Sequence, residues 1–77
     1  MNTAYMLLAL YEKPFLSFQE TCEAIGISRQ SGYNARSQGT FPVPMLENPL
    51  RASIQDVADY IDKQRDLAKE KMGNEHA

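Results

Sequence analysis

The sequence lacks most of the residues on which enzymes and metal proteins depend. Its 77 residues include one cysteine, one histidine and no tryptophan. A single cysteine, Cys22, cannot form an intramolecular disulfide, and it falls on the predicted apolar face of a helix. His76 is the penultimate residue, and neither metal-ligand spacing nor a phosphate-binding glycine loop is present. Catalysis needs convergent groups in a pocket, so we expect no enzyme activity, no metal and no cofactor.

Long apolar segments are also missing. The longest run, Ala4 to Tyr11, has eight residues, whereas a membrane span needs about 20. The sequence has neither the cationic start nor the small-residue cleavage site of a secretory signal. We therefore expect a cytoplasmic protein without a membrane partner. Its length fits one domain, which we place at residues 1–72 and expect to be followed by a disordered tail at 73–77.

A general excess of positive charge is missing as well, since the formal net charge is −2. The charges are nevertheless unevenly distributed. Residues 28–51 carry three arginines and one glutamate, a local charge of +2, whereas the segments 1–27 and 52–77 each carry −2. A basic patch is the electrostatic feature of nucleic-acid binding, and the acidic total opposes it.

Two short helices are predicted around this basic segment. Ser17 and Glu20 have the spacing of a capping box, and the helix that they begin ends at Gly26. Ser28 caps a second helix at about 29–38. Two short helices joined by a Gly-Ile-Ser turn are typical of a helix-turn-helix.

Two further helices flank this pair. Asn2 or Thr3 caps a first helix that ends before Pro14, although its apolar run has no decisive period and also fits a strand. Ser53 caps a last helix, with Asp56 placed to complete a capping-box-like pair. Its core-facing residues recur at helical spacing: Ile54, Val57, Ala58 and Ile61.

A proline-rich segment, residues 41–52, lies between the 29–38 helix and the last helix. Its prolines at 42, 44 and 49 cannot donate to a ladder, so we expect at most an irregular edge hairpin that turns near residues 47–49. The order helix, helix, hairpin, helix predicts a mainly α-helical domain with a small β-hairpin wing, a winged helix-turn-helix.

The polar side chains of the 29–38 helix suggest DNA as its partner. Arginine can bond guanine as a fork, and glutamine or asparagine can do the same to adenine. The candidate groove contacts are therefore Arg29, Gln30, Ser31 and Asn34. Arg36 and Arg51 suit phosphate contacts, and Tyr33 is expected to pack inward. A solvated surface helix is the competing interpretation, and only the order of the surrounding elements favours DNA.

The first helix has more apolar side chains than one side of a small helix can bury. We expect these side chains to complete the core. The alternative is a self-association surface, because dimers or cooperative arrays multiply weak DNA contacts. The candidate residues for self-association are Tyr5, Met6, Leu8 and Tyr11.

The segment GISRQSGYNARSQGTFPVP, Gly26 to Pro44, resembles the helix-turn-helix of the AlpA-like and excisionase branch of the MerR-like winged helix proteins. In that branch Gly-Ile-Ser-Arg leads to a helix with a central tyrosine, then Gly-x-Phe-Pro. RASIQDVADYIDKQR, residues 51–65, is similar to the end of the wing and the closing helix. MNTAYMLLALY and QDVADYIDKQR together look like the pyocin activator (PrtN-like) family.

This resemblance implies a double-stranded DNA-binding regulator of a prophage or mobile element, either a transcriptional regulator or an excisionase that directs recombination. It gives groove contacts to the four candidates above, a backbone contact to Arg36 and a basic position near the wing to Arg51. Gly32 and Ala35 depart from the family, whose members usually carry larger aliphatic residues there, so the recognition helix is short or closely packed. The wing is also poor in Lys and Arg, with Glu47 near its tip.

The main alternative is a protein-interaction module. On this interpretation the same fold is an adaptor or anti-repressor that binds a repressor, an integrase or an RNA polymerase subunit. The binding surfaces would be the acidic last helix and the N-terminal apolar run. The acidic net charge and the weakly basic wing motivate this alternative.

Overall fold

Four helices and two short strands make up the described part of the chain, residues 2–76 of a computed structural model, with side chains described through residue 72. The elements in chain order are α1 (Thr3–Tyr11), β1 (Phe15–Ser17), α2 (Phe18–Ile25), α3 (Arg29–Ser37), β2 (Arg51–Ser53) and α4 (Ile54–His76). The described chain is thus mainly helical with a small two-stranded antiparallel sheet, as predicted at this coarse level.

The apolar N-terminal run is a helix, which excludes the strand alternative. The Asn2 side-chain oxygen accepts hydrogen bonds from the amides of Ala4 and Tyr5, at 2.8 and 3.4 Å. At the other end Glu12 adopts a left-handed conformation, and its amide donates to the Leu8 carbonyl at 2.7 Å. A polar cap and a left-handed residue therefore define both ends of α1.

The predicted capping box at the start of α2 is confirmed. The Ser17 hydroxyl accepts from the Glu20 amide at 3.2 Å, and a Glu20 carboxylate oxygen accepts from the Ser17 amide at 2.9 Å. Gly26, with φ of +83°, ends the helix and donates its amide to the Cys22 carbonyl. The αL conformation favours glycine at this position because glycine has no Cβ to collide with the backbone.

The strand pairing differs from the prediction. β2 pairs with β1 rather than within residues 41–52, and the central pair, Leu16 and Ala52, is fully buried. The predicted hairpin is reduced to a turn at residues 46–51, where Leu46 and Arg51 exchange two backbone hydrogen bonds of 2.7 and 2.8 Å. The prolines at 42 and 44 explain this, since they remove the donors of an incoming strand.

The core lies between α1, the sheet and α4. Its buried residues come from α1, both strands, α4 and the proline-rich segment: Leu7, Leu16, Val43, Ala52, Ile54, Val57 and Ala58. Val43 reaches this core from the extended segment between the two prolines. At the start of α4 the Ser53 hydroxyl accepts from the Gln55 amide at 3.1 Å. This cap satisfies the Gln55 amide rather than that of Asp56, whose carboxylate lies in the first turn.

The expectation that the apolar run of α1 completes the core is wrong for most of its residues. Only Leu7 is buried, and Tyr11 is half-buried. The large side chains that remain exposed are Tyr5, Met6, Leu8 and Leu10. The reason is geometric, because α1 packs mainly against α4 and a helix with apolar residues on all sides can bury only one of them there.

The second half of α4 projects from the domain. All described side chains from residue 62 to 72 are exposed, and the described chain extends 47 Å along its longest axis. The helix continues across Gly73 to His76, through most of the segment where a disordered tail is predicted, and Ala77 lies outside the described residues. Within residues 2–76 no helix has the length and apolar character required to cross a membrane.

Candidate nucleic-acid interface

α3 lies directly on α2, and Gly32 is the point of contact. A Cβ atom on Gly32 would be 2.5 Å from the Cys22 sulfur and 3.1 Å from the end of the Phe18 ring. Glycine inside a helix costs about 1 kcal/mol relative to alanine. At this position the absence of a side chain lets the two helices approach closely, which agrees with the closely packed form of the two alternatives, short or closely packed, that the sequence predicts for this helix.

Tyr33 covers this contact from the outside instead of packing inward as predicted. Its side chain is 52% exposed, while its ring lies 4.7 Å from the Phe18 ring, centroid to centroid, with a tilt of 31°. Phe18 also contacts Phe41, at 5.1 Å. The close approach at Gly32 leaves no room between the helices for a tyrosine ring, so the ring lies at their edge.

The outer side of α3 is polar and exposed, as the sequence predicts. Arg29 donates from Nη1 to the Gln19 amide oxygen at 3.1 Å, and Gln30 donates from Nε2 to the Asn34 amide oxygen at 3.3 Å. Ser31 belongs to the cap, because its amide donates to the Ser28 hydroxyl at 3.1 Å. The structure thus brings the four candidate groove contacts together on the first two turns of one helix.

The two candidate phosphate contacts have partners of their own. Arg36, in the last turn of α3, forms an ion pair with Glu47 at 2.9 Å. Arg51 donates from Nη1 to the carbonyl oxygens of Pro49 and Glu47, at 2.9 and 3.3 Å, and its guanidinium lies 5.2 Å from the centre of the Phe15 ring. Arg51 therefore holds the 46–51 turn together.

Electrostatics at α3 are consequently weaker than three arginines suggest. Of the three, Arg36 is the one that a described carboxylate neutralises, whereas Arg29 and Arg51 donate to neutral oxygens and keep their full charge. Two features here were missed from sequence, the Gln19 partner and the Arg36–Glu47 pair. Neither had a local signal, because the partners are 10 and 11 residues apart in sequence and meet only through the packing of α2, α3 and the 46–51 turn.

The chemistry available elsewhere in the described residues is limited. Burial raises the pKa of the Cys22 thiol, so it is a neutral packing group between α2 and α3. Among the described residues no three histidine, cysteine, aspartate or glutamate side chains lie close enough to hold a metal ion.

The candidate self-association residues do not form one surface. Tyr5 and Met6 line a shallow apolar groove together with Ala9 and Leu10. Tyr11 is half-buried instead, and burial, followed by the charges of two nearby glutamates, raises the pKa of its phenol. Ala9 was missed, although its helical spacing from Tyr5 could have identified it.

No protein-family model, curated protein or solved structure matches this chain. The function is therefore inferred from the fold, the geometry of α3 and the sequence pattern.

Proposed function

We propose that the protein is a sequence-specific, double-stranded DNA-binding regulator that inserts α3 into the major groove. The observation that carries the proposal is the arrangement of α3, which exposes Arg29, Gln30 and Asn34 on its outer side while Gly32 holds it on α2. A major groove admits one α-helix, and these side-chain types are the ones that bond guanine and adenine edges. A base-reading helix also has to be held rigidly, which the Gly32 contact supports.

The surroundings of α3 fit the winged helix-turn-helix interpretation. α2 and α3 are joined by the short turn at Gly26 and Ile27, and the 46–51 turn follows as a compact projection linked to α3 by the Arg36–Glu47 pair. In the proposed complex this turn lies beside the duplex as a wing. Arg36 and Arg51 then contact the phosphate backbone, which fixes the register of α3 without reading sequence.

The sequence resemblance narrows the proposed role. A helix-turn-helix like that of the AlpA-like and excisionase branch, with ends like those of pyocin activators, supports a regulator of a prophage or other mobile element. Transcriptional regulation and direction of an integrase toward excision are the two forms of this role. Both place the protein in the cytoplasm with its DNA.

The proposal requires more than one copy on the DNA. Few cations face the duplex, and each phosphate contact contributes only about 0.9 to the slope of log affinity against log salt, so one α3 binds weakly. The exposed apolar face of α1, formed by Tyr5, Met6, Ala9 and Leu10, supports self-association. A dimer or cooperative array raises the effective concentration of the second α3 at its site.

The proposed function is tested by titrating the purified protein against fluorescent fragments of its own locus. Salt is varied and an excess of unrelated duplex is added as competitor. We expect one fragment to resist competition and to be bound less tightly as salt rises. If every fragment is bound with equal affinity, the binding is not sequence-specific. If no fragment is bound even at low salt, the proposed function is contradicted.

A protein-interaction module is the second candidate, favoured by one specific observation. The apolar face of α1 and the second half of α4, whose residues 62–72 carry four basic and three acidic side chains, are both exposed, and large exposed apolar surfaces mark interaction sites. In this case the partner is a repressor, an integrase or a polymerase subunit. The test immobilises this protein and offers it a purified repressor, integrase or polymerase subunit. If none of them is captured while the protein binds DNA in a salt-sensitive way, this candidate is contradicted.

A further inference from the structure

The ion pair between Arg36 and Glu47 joins the recognition helix to the tip of the turn. One Arg36 guanidinium nitrogen lies 2.9 Å from a Glu47 carboxylate oxygen. The Glu47 side chain is 70% exposed and makes its described side-chain contact through this pair alone. The Glu47 carboxylate is thus paired with Arg36, the arginine in the last turn of α3.

The turn does not need this pair to keep its shape. Leu46 and Arg51 close it with two backbone hydrogen bonds, and the Arg51 guanidinium bonds the carbonyls of Glu47 and Pro49 from inside. An exposed ion pair contributes about 0–1 kcal/mol to stability. The Glu47 carboxylate can therefore leave Arg36 while the backbone of the turn stays in place.

We propose that Glu47 limits the DNA affinity of the recognition helix by competing with the phosphate backbone for Arg36. This inference rests on the proposed function and adds a residue that sets its strength. Phosphate and carboxylate oxygens bond the same guanidinium donors, so a DNA phosphate at Arg36 displaces Glu47 or binds beside its negative charge. Either way the contact is weaker than that of an unpaired arginine.

A consequence for recognition follows from the weakened backbone contact. Backbone contacts supply nearly all non-specific binding, whereas base contacts supply selectivity. Cancelling one of the few cations beside α3 lowers the affinity for every sequence. The protein then depends more on the base contacts of Arg29, Gln30 and Asn34 to remain on its site.

Glu47→Gln tests the inference because it keeps the size and an acceptor oxygen and removes only the charge. We expect this variant to bind DNA about two- to fivefold more tightly, the range given by the strength of an exposed pair. Its log affinity should also fall more steeply with log salt, by up to about 0.9. Thermal unfolding followed by circular dichroism verifies that the variant folds like the wild type.

Three further proteins make the test specific to this pair: Glu70→Gln, Arg36→Ala and the double variant Arg36→Ala, Glu47→Gln. Glu70→Gln changes the net charge equally in the projecting half of α4, where we expect less than a twofold effect on affinity. In an Arg36→Ala background Glu47→Gln should have no effect, because its partner is gone. The inference is overturned if Glu47→Gln and Glu70→Gln change DNA affinity equally, or if the Glu47→Gln effect persists without Arg36. In both cases the proposed function stands as long as the wild type binds DNA. If neither the wild type nor Glu47→Gln binds DNA at low salt, both are overturned.

Discussion

α1 and α3 are helices of equal length with opposite surfaces. Each has nine residues and a polar N-cap, Asn2 for α1 and Ser28 for α3. α1 has no charged residue and exposes large apolar side chains, whereas α3 has two arginines and exposes a polar row. Both helices face solvent over most of their surface, so burial alone does not distinguish them.

The difference lies in how each helix is attached. α1 inserts one large side chain, Leu7, into the core, while α3 is attached where a side chain is absent, at Gly32. Because Leu7 alone anchors α1 in the core, the other apolar side chains of α1 remain exposed and are available to contact another apolar surface. Close backbone approach needs few apolar residues, so α3 can carry polar side chains almost all the way round.

The largest effect is expected from Leu7→Ala in α1. Removing a buried leucine side chain costs about 2–5 kcal/mol, which is a large part of the stability of a domain of this size. Leu10→Ala is the matched control, because Leu10 is 73% exposed and exposed substitutions usually change stability by less than about 0.5 kcal/mol. Urea unfolding measures both, and similar losses in the two variants contradict the attachment of α1 through Leu7.

The attachment of α3 also shows what sequence could and could not predict. The caps at Ser17, Gly26 and Ser28 were predicted correctly, because a cap depends on residues within four positions. β1 was missed, since a three-residue strand has no measurable period and its partner β2 is distant in sequence. Val43 was missed for a related reason, as a residue between two prolines belongs to no periodic element.

The candidate interface was predicted to a similar extent. The exposure of the polar α3 side chains follows from helical periodicity, so Arg29, Gln30 and Asn34 lie where the sequence places them. The partners of Arg36 and Arg51 depend on the fold of the 46–51 turn, and no local pattern encodes them. Their expected role on DNA remains a prediction.

Gly32→Ala is expected to have the next largest effect, now on α3. Alanine favours a helix by about 1 kcal/mol over glycine, but its Cβ would overlap the Cys22 sulfur. Overpacking of this kind costs about 1–3 kcal/mol, so we expect a net loss of stability. The double variant Gly32→Ala, Cys22→Ala removes the sulfur and should recover part of the loss. Urea unfolding of the singles and the double measures this coupling, and strict additivity contradicts the close contact.

A third prediction separates the surfaces of the two helices by their partners. Arg29→Ala or Asn34→Ala should cost about 1–3 kcal/mol of specific DNA binding if each contacts a base, without changing self-association. Leu10→Lys should weaken self-association, measured by sedimentation equilibrium, whereas Leu67→Lys, at another exposed leucine, should not. If both α3 variants bind DNA with unchanged affinity, the assigned base contacts are wrong. If the wild type is monomeric, α1 does not mediate self-association.

The smallest effect concerns pH and the start of α2, the helix on which α3 lies. The Lys13 ammonium, 2.8 Å from Glu20, and the Ser17 amide hold the pKa of the Glu20 carboxyl below its ordinary value. The unfolded chain therefore binds this proton more readily than the folded chain. The stabilisation is fully present above the unfolded pKa of about 4.3, and it is lost as pH falls through the lower folded value.

Glu20→Gln removes this titration, so the wild type should be more stable than the variant at neutral pH, by no more than about 1 kcal/mol. The difference should shrink as pH falls below about 4. Asn2→Ala at the cap of α1 is the control, because an amide does not titrate and the difference from the wild type should persist in acid. Urea unfolding at pH 7 and pH 3 measures all three proteins. If the wild type and Glu20→Gln differ in stability by the same amount at both pH values, the charge of Glu20 does not stabilise α2. The stability of α2, on which α3 lies, would then depend on pH no more than that of α1.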